Sequence, residues 1–576
     1  MVRELWQFIL KRKMLYLAIL IGVLINYGMS VFPTRITQGI INGIASNQLT
    51  REILHQQLII LIVSILISYI TGYFWVRWLF TSQAFYQREL KRTLFRKLSL
   101  MRTPYYDKFR SGDMMTRFTS DINNLSELLG YGTMSIFYVF GTFIIIIPQM
   151  FIISWWISLI SMVPIIILGC LVYFIGKKQD DMVEANREAV ASLSNEVLEV
   201  VEGIRVTRAY GNSALGAARF AKRTESLRHR ANQIMFYQAM YGRVANVFLA
   251  LSAATVLGFG GYAIAAGQIT VGDVVALQMY SWILLDPMWM LSDFILIYKT
   301  ADISFNKLQE LLNTDDDLEA DGHELLAFPE KIEFRDYQFQ YAGSEYQGLE
   351  NINVTIEKGQ TLGIVGKTGS GKTTFIRQLL RQYPVGKGNI YINDLPIQAY
   401  QRDSIERHIG YVPQEHVLFS RTVAENIQVG KENASLKELD YAVAVAAFTQ
   451  DLERMEKGYE TLVGEKGVSV SGGQKQRISI ARAAIKEPNI LILDDSLSAV
   501  DAKTERIIIE NIQALRQGKM TIIVTHRLSA VTHADWVIVL EEGKIVEEGT
   551  PLQLQNSNGW YAQQYRKQQT HEEADA

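Results

Sequence analysis

The residues best suited to chemistry lie in the second half of the chain, and the first group is a glycine-rich run. Gly366, Lys367, Thr368, Gly369, Ser370, Gly371, Lys372, Thr373 and Thr374 follow the apolar stretch Thr361 to Val365 and lead into a helical pattern. Glycines at this spacing let backbone N–H groups turn inward around phosphate oxygens, and the start of a helix favours their charge. Lys372 can then reach the β- and γ-phosphates of a nucleotide, and Thr373 can ligate Mg²⁺. Ile490 to Asp494 reads as a buried parallel strand ending in a carboxylate, which suits Asp494 to a second Mg²⁺ contact. Ser471-Gly472-Gly473-Gln474 opens another helical segment, Gln476 to Ile485, whose N-terminus would again favour an anion. Alone, Ser-Gly-Gly is only a turn signal.

These groups need an α/β frame. Short apolar strands at Thr361 to Val365, Ile490 to Leu493 and Thr521 to Val524, alternating with helical segments, predict one; Trp536 to Leu540 and Lys544 to Val546 read as a hairpin. The first half of the chain is different. A bilayer core needs about 20 apolar helical residues, and Met14 to Pro33, Leu58 to Val76, two helices within Leu128 to Gly176 turning near Pro148 to Ser154, Val244 to Gly272, and Val274 to Tyr298 supply six such spans. The sixth is interrupted only by Asp286 and Asp293. Lys11-Arg12-Lys13 precedes the first apolar run, but no small-residue cleavage site closes that run, so a retained span is expected rather than a signal peptide.

The segments 79–127 and 177–243 are long and rich in Lys and Arg, while those near 45–57, 148–154 and 265–272 are short. Positive loops stay in the cytoplasm, which places both termini inside. Helical sequence continues on either side of short breaks at 110–113 and around 210–212, so helices are expected to project beyond the membrane. The acidic stretch from Asp315 breaks the helical pattern. The expected division is a transmembrane domain at 1–312, a linker at 313–330, a nucleotide-binding domain at 331–567 and a tail at 568–576. A chain that is 48% hydrophobic yet 20% charged fits such a mixture, and a net charge of −2 gives no reason to expect nucleic acid as a partner. The lone cysteine, Cys170, cannot form an internal disulfide.

The three motifs, in this order, resemble the ATP-binding cassette (ABC) ATPases, and the resemblance runs through the whole chain. It implies roles for further residues: Tyr341 as the aromatic that stacks on adenine, and Gln414, in the loop facing the membrane domain, as a catalytic residue and a contact to Mg²⁺. It also marks Gly464-Glu465 just before the signature, Ser498 to Asp501 as a dimer-contact loop, and His526 as a switch histidine. Six spans fused ahead of one cassette resemble an exporter half-transporter: an α-helical six-span domain followed by an α/β P-loop ATPase. In that family two cassettes sandwich two ATP molecules, each between the phosphate loop of one chain and the signature of the other. The breaks at 105–113 and 210–216 correspond to coupling helices.

The family usually has a glutamate after the strand aspartate, and here the residue is Asp495, one methylene shorter. A misplaced general base costs roughly 10²–10⁴-fold in rate. The expectation is a site on Lys372, Asp494 and Asp495 that binds ATP and hydrolyses it slowly, beside an intact signature at Ser471 to Gln474. That resembles one subunit of the bacterial heterodimeric multidrug exporters, multi-pass in the cytoplasmic membrane among its lipids. An active homodimer with Asp495 as its base is the competing expectation. Asp286 falls inside the sixth span among Met279, Tyr280, Trp282, Met288, Trp289 and Met290, which suits amphipathic and cationic cargo or, equally, helix packing. Lipid or peptide export and a non-transporting membrane ATPase sensor are the alternatives.

Overall fold

The computed structural model describes residues 1–575 except 212, 285, 317, 318 and 465–469. Asn212, Asp317 and Glu465, and the side chains of Arg205 and Met288, lie outside the described residues. The chain forms two compact units, Met1–Ser99 with Ser111–Asn313, and Leu100–Arg110 with Thr314–Ala576.

The first unit is helical. Its elements are α1 (Val2–Lys11), α2 (Lys13–Ala45) and α3 (Arg51–Leu100); after the short α4 (Thr103–Lys108), which belongs to the second unit, come α5 (Ser111–Thr116), α6 (Ile122–Glu127), α7 (Thr133–Ile153), α8 (Trp155–Glu202), α9 (Ile204–Ala209), α10 (Ser213–Ala265), α11 (Val271–Ile283) and α12 (Asp286–Asn313). Among the described residues, four helical stretches are long and apolar enough to cross a membrane: Lys13–Ala45, Arg51–Leu100, Ser111–Ile153 and Arg243–Ala265. Trp155–Leu171 is a shorter apolar helix. At 1.5 Å per residue α3, with 50 residues, extends about 75 Å, well beyond a hydrocarbon core of about 30 Å. Large apolar side chains such as Ile62, Leu66, Ile144 and Ile152 are exposed along these helices, as lipid-facing surfaces require. Inside, small residues permit close approach: a Cβ at Gly141 would lie 2.6 Å from the Tyr27 ring.

One expectation holds here and one changes. The turn expected near Pro148 to Ser154 falls at Ser154, whose φ of −159° is extended, while Pro148 stays inside α7 because a proline removes only one intrahelical bond. The sixth apolar stretch is not one unbroken helix: α11 ends at Ile283, Leu285 lies outside the described residues, and α12 is described from Asp286. Tyr280 is fully buried in the core with Ile146, Met150 and Val256, so it packs the bundle instead of facing cargo.

The second unit is built on strands β1 (Lys331–Gln340), β2 (Gln347–Glu357), β3 (Thr361–Gly366), β4 (Lys387–Ile392), β5 (Leu395–Pro396), β6 (Ile409–Val412), β7 (Arg421–Thr422), β8 (Leu462–Val463), β9 (Ile490–Asp494), β10 (Met520–Val524), β11 (Trp536–Glu541) and β12 (Lys544–Gly549). Six form a sheet in the order β12-β11-β3-β10-β9-β6, with β3, β10, β9 and β6 parallel. Every residue of β9 and β10 is buried, as strands covered on both faces must be, which explains their continuous Ile, Leu and Val. A second sheet, β2-β1-β4-β5, is antiparallel. Helix α13 (Lys372–Leu379) follows β3, and its Phe375 stacks on Phe334 of β1 with ring centroids 4.3 Å apart.

Of the stretch 313–330, expected as a linker, Asn313 ends α12, and Glu319 and Leu326 are held by the second unit. Glu319 pairs with the buried Arg381 at 2.9 Å, and Leu326 is buried with the second unit's core. The expected tail from residue 568 continues the helix Trp560–Asp575; Gln568 donates to the His526 carbonyl at 2.9 Å and accepts from Leu528 N–H at 2.8 Å, so it is part of the fold. Phe375→Ala is expected to cost about 3–5 kcal/mol, seen as a lower midpoint when the second unit is unfolded by denaturant.

Candidate nucleotide site

Parallel strands all end at the same edge, and that edge gathers the reactive groups. In register, Val524 of β10 lies beside Ile364 of β3 and Asp494 of β9, and Val412 of β6 lies beside Leu493. The loops carrying Gly366 to Gly371, Asp495, His526 and Gln414 therefore leave the sheet side by side.

The loop after β3 needs its glycines. Gly366 has φ +147° and a Cβ there would sit 2.2 Å from the Leu540 carbonyl; Gly371, φ +102°, would meet the Gly348 carbonyl at 2.6 Å. Lys372 Nζ donates to the Gly366 and Lys367 carbonyls, each at 2.8 Å, which uses two of its three donors and leaves one for a phosphate oxygen. Burial pulls the Lys372 ammonium pKa down while Asp495 and Asp494 hold it up. Ser370 Oγ is buried with no hydrogen-bond partner, a polar atom in a cradle that an anion would satisfy. Lys367 pairs with Glu541 at 2.7 Å, and Thr368 and Gly369 form the exposed turn between. The helix that follows starts at Lys372, so its first N–H groups face the same cradle.

Asp494 is 1% exposed at the end of β9. Thr373 Oγ1 donates to its Oδ1 at 3.4 Å, and Tyr411 donates to Oδ2 at 3.3 Å. Burial, with the neighbouring Asp495 charge, raises the Asp494 pKa. The Thr373 and Asp494 oxygens are separated by a distance close to the about 3 Å between adjacent ligands in an octahedron of 2.1 Å bonds, so these two residues fit Mg²⁺. Bound with a nucleotide, that ion would offset negative charge on the phosphates. Among the described residues there is no group of three His, Cys, Asp or Glu able to hold a metal.

Asp495 takes φ +47°, and its N–H donates to the Val524 carbonyl at 2.8 Å. Its Oδ1 lies 2.8 Å from His526 Nδ1 without a hydrogen bond between them. Gln414 is exposed in the loop after β6. Tyr341 has its hydroxyl 3.1 Å from Thr374 Oγ1 and its ring edge-on to Phe339 and Tyr383.

The signature is arranged separately. Ser471 caps α18 (Gly472–Ala484), here labelled after α14 (Arg402–His408), α15 (Val423–Gln428), α16 (Leu436–Val445) and α17 (Thr449–Arg454): its Oγ accepts from Gln474 N–H while Gln474 Oε1 accepts from Ser471 N–H. Gln474 Nε2 donates to Asp451 at 3.0 Å. These bonds place Gly472 and Gly473 at a helix start. Gln476 accepts from Ala499 N–H at 3.1 Å and Arg527 donates to the Ser498 carbonyl at 2.9 Å, which ties the 498–501 loop to both α18 and the residue after His526.

Sequence reasoning missed Tyr411, Ser370 as a buried orphan, and His416. His416 Nδ1 is buried without a partner, and burial lowers its pKa against the pull of Asp495. Its place two residues after Gln414 was the available signal.

Known proteins agree with this geometry. Residues 14–288 match the ABC transporter transmembrane region family and residues 349–498 the ABC transporter family. The chain is similar to the probable multidrug resistance ABC transporter ATP-binding/permease protein YheI of Bacillus subtilis (strain 168), 39% identical over 96% of this chain and 95% of that one. It is also similar to the multidrug resistance-like ATP-binding protein MdlA of Escherichia coli (strain K12), 31% identical over 94% and 92% of the two chains. A solved structure of a bacterial Atm1-family ABC exporter with ATP bound has the same fold, with a TM-score of 0.80 and 22% identity over 96% of this chain and 99% of that one. With a membrane-spanning helical half and an ATPase half that hydrolyses ATP to drive transport, the chain belongs to the ABC transporters of exporter type.

Proposed function

We propose that this chain is one subunit of a heterodimeric exporter that moves amphipathic compounds out across the bacterial cytoplasmic membrane. It supplies a slowly hydrolysing ATP site of its own and the intact signature for its partner's site. The observation that carries this reading is Asp495. Its carboxylate is one methylene shorter than glutamate, its backbone is tethered to Val524, and its Oδ1 lies 2.8 Å from His526 Nδ1. A carboxylate on a shorter side chain from a tethered backbone is a poor general base for an in-line water. The capped, well-formed start of α18 supports a working signature at Ser471 to Gln474. On this reading Tyr341 receives adenine, Gly366 to Thr374 hold the phosphates, and Thr373, Asp494 and Gln414 hold Mg²⁺, with His526 as the switch residue.

Six spans complete the reading, the fourth from the start of α8 and the sixth from α11 with α12. The basic segments between spans favour cytoplasmic termini. The relatives' multidrug names and the chemistry near Asp286 support amphipathic cargo. Asp286 Oδ2 accepts from Tyr138 at 3.3 Å, and Trp282 and Trp289 nearby are exposed, a combination of carboxylate and aromatic faces that favours cations.

ATP hydrolysis by the purified chain, alone and with its partner, tests the asymmetry. The chain alone is expected to be nearly inactive, the pair active, and Asp495→Glu to raise turnover about tenfold or more. Rapid hydrolysis by the chain alone makes Asp495 a working base in a homodimer and sinks the proposal. For the cargo, Asp286→Asn is expected to weaken efflux of cationic dyes from inverted vesicles while sparing neutral ones; equal transport of both dye classes by the variant removes Asp286 from the cargo path.

A further inference from the structure

The edge of the six-stranded sheet opposite the nucleotide site holds a second cavity, of 290 Å³. Strands β3 and β10 begin there, with Thr521 paired in register to Thr361, and both residues line the space. The other ends of these strands carry the phosphate loop and His526. The five residues of β10, at about 3.3 Å each, put roughly 16 Å of strand between the two edges. Helix α19 (Ala502–Leu515) supplies Gln513 to the cavity wall, the turn into β10 supplies Arg516 and Lys519, and the segment before β11 supplies His533 and Asp535.

Arg516 is only 7% exposed, so a full positive charge is buried in this wall. Its Nη1 donates to the Pro488 carbonyl at 2.8 Å and its Nη2 to the Met520 carbonyl at 2.9 Å, while Nε has no partner. Burial pulls the guanidinium pKa down to about 10, which leaves it charged at neutral pH, and the neighbour that holds it up is the Tyr441 phenol; no carboxylate among the described residues pairs with it. The end of α19 offsets part of that charge. Buried charges ordinarily have a counter-charge, and this one lacks it. Asp535 does not supply it, because its Oδ2 accepts from Thr361 N–H at 2.7 Å at the start of β3. Lys519 Nζ donates to the Glu487 carbonyl at 3.3 Å and keeps two further donors, and His533 is exposed at the cavity mouth.

We propose that this cavity binds a phosphate group, contacted by Lys519 and His533 and drawn in by the unpaired charge of Arg516. Its volume lies just under the range of about 300–1,000 Å³ usual for ligand pockets, which suits a compact ion better than a nucleotide. A small oxyanion with two negative charges answers Arg516 and Lys519 together, whereas a monocarboxylate answers only one of them. Hydrogen bonds from an ammonium and an imidazole to phosphate oxygens are charge-assisted, and the low-dielectric wall around Arg516 strengthens its pull. Free phosphate and a small phosphate ester present the same group to these residues. The inference goes beyond ATP-driven export and depends neither on Asp495 nor on the cargo or the partner.

The test treats the full-length chain in its assembled transporter with an amine-acylating reagent and follows labelling of Lys519 by mass spectrometry, with the exposed Lys437 as reference. Inorganic phosphate is expected to slow acylation of Lys519 about threefold or more relative to chloride at equal ionic strength, and to leave Lys437 unchanged. Lys372→Ala, which disables the nucleotide site, should keep that protection. Arg516→Gln and His533→Ala should each lose it; because Arg516 also holds two carbonyls, thermal melting checks that its variant is folded, and the surface variant His533→Ala decides where it is not. Acetate at the same concentration should protect less. Glycerol 3-phosphate protecting at lower concentration than inorganic phosphate identifies an ester as the better ligand, and the reverse order identifies the free ion. Protection that vanishes in Lys372→Ala places the phosphate in the nucleotide site instead. That result, protection that survives His533→Ala, equal protection by acetate, or no protection by either phosphate compound would each overturn the inference.

Discussion

Everything reactive in the second unit depends on the register of four parallel strands. Because β3, β10, β9 and β6 run the same way and pair without offset, their ends deliver the phosphate loop, His526, Asp494 and the Gln414 loop to one edge. A slip of one residue in β9 would turn Asp494 to the opposite face of the sheet and bring Leu493 toward the cradle. The register is secured by burial on both faces: Ile490, Leu491, Ile492 and Leu493 are all at 0% exposure, and each has a place in one of two cores. Hydrophobic packing of ordinary kind therefore sets where a buried carboxylate can stand.

That placement costs solvation, and the surroundings answer it. Asp494 sits away from water with hydroxyls of Thr373 and Tyr411 on its two oxygens, and burial pushes the Tyr411 phenol pKa up in turn. Lys372 is half-buried, its ammonium held by two carbonyls of its own loop. Paired hydrogen bonds are what make such burial tolerable. Their arrangement leaves oxygen atoms facing oxygen atoms across 3.4 Å between Thr373 and Asp494, a spacing suited to a small hard cation.

What was legible in the sequence had strong local physics behind it. Gly366 and Gly371 stand where a side chain would strike a carbonyl, so their spacing carried the loop's shape, and the strand ending in Asp494 followed from an unbroken apolar run. The helical character of the first half was equally plain from uncharged stretches of membrane length. Interruptions were harder. The turn expected near Pro148 to Ser154 falls at Ser154, but an apolar run does not record every stop, and the end of α11 at Ile283 was not marked in it. Acidic composition suggested a loose linker, yet Glu319 finds the buried Arg381, a partner 62 residues away. Tyr383 follows a Gln and precedes a Pro, and nothing in that context marks it as a neighbour of Asp107, 276 residues earlier.

The membership of residues 100–110 has a consequence for how such chains can be recombined. The boundary between the two units is crossed by the backbone three times, at 99–100, 110–111 and 313–314, instead of once. A chimaera joined only at residue 313 would pair a foreign α4 with this ATPase half and discard Asp107 and Arg102 together with their partners Tyr383 and Glu406. Substitutions in this short stretch answer to the surface of the second unit, although sequence position assigns them to the membrane half. A working exchange of halves therefore carries the eleven residues Leu100–Arg110 with the ATPase.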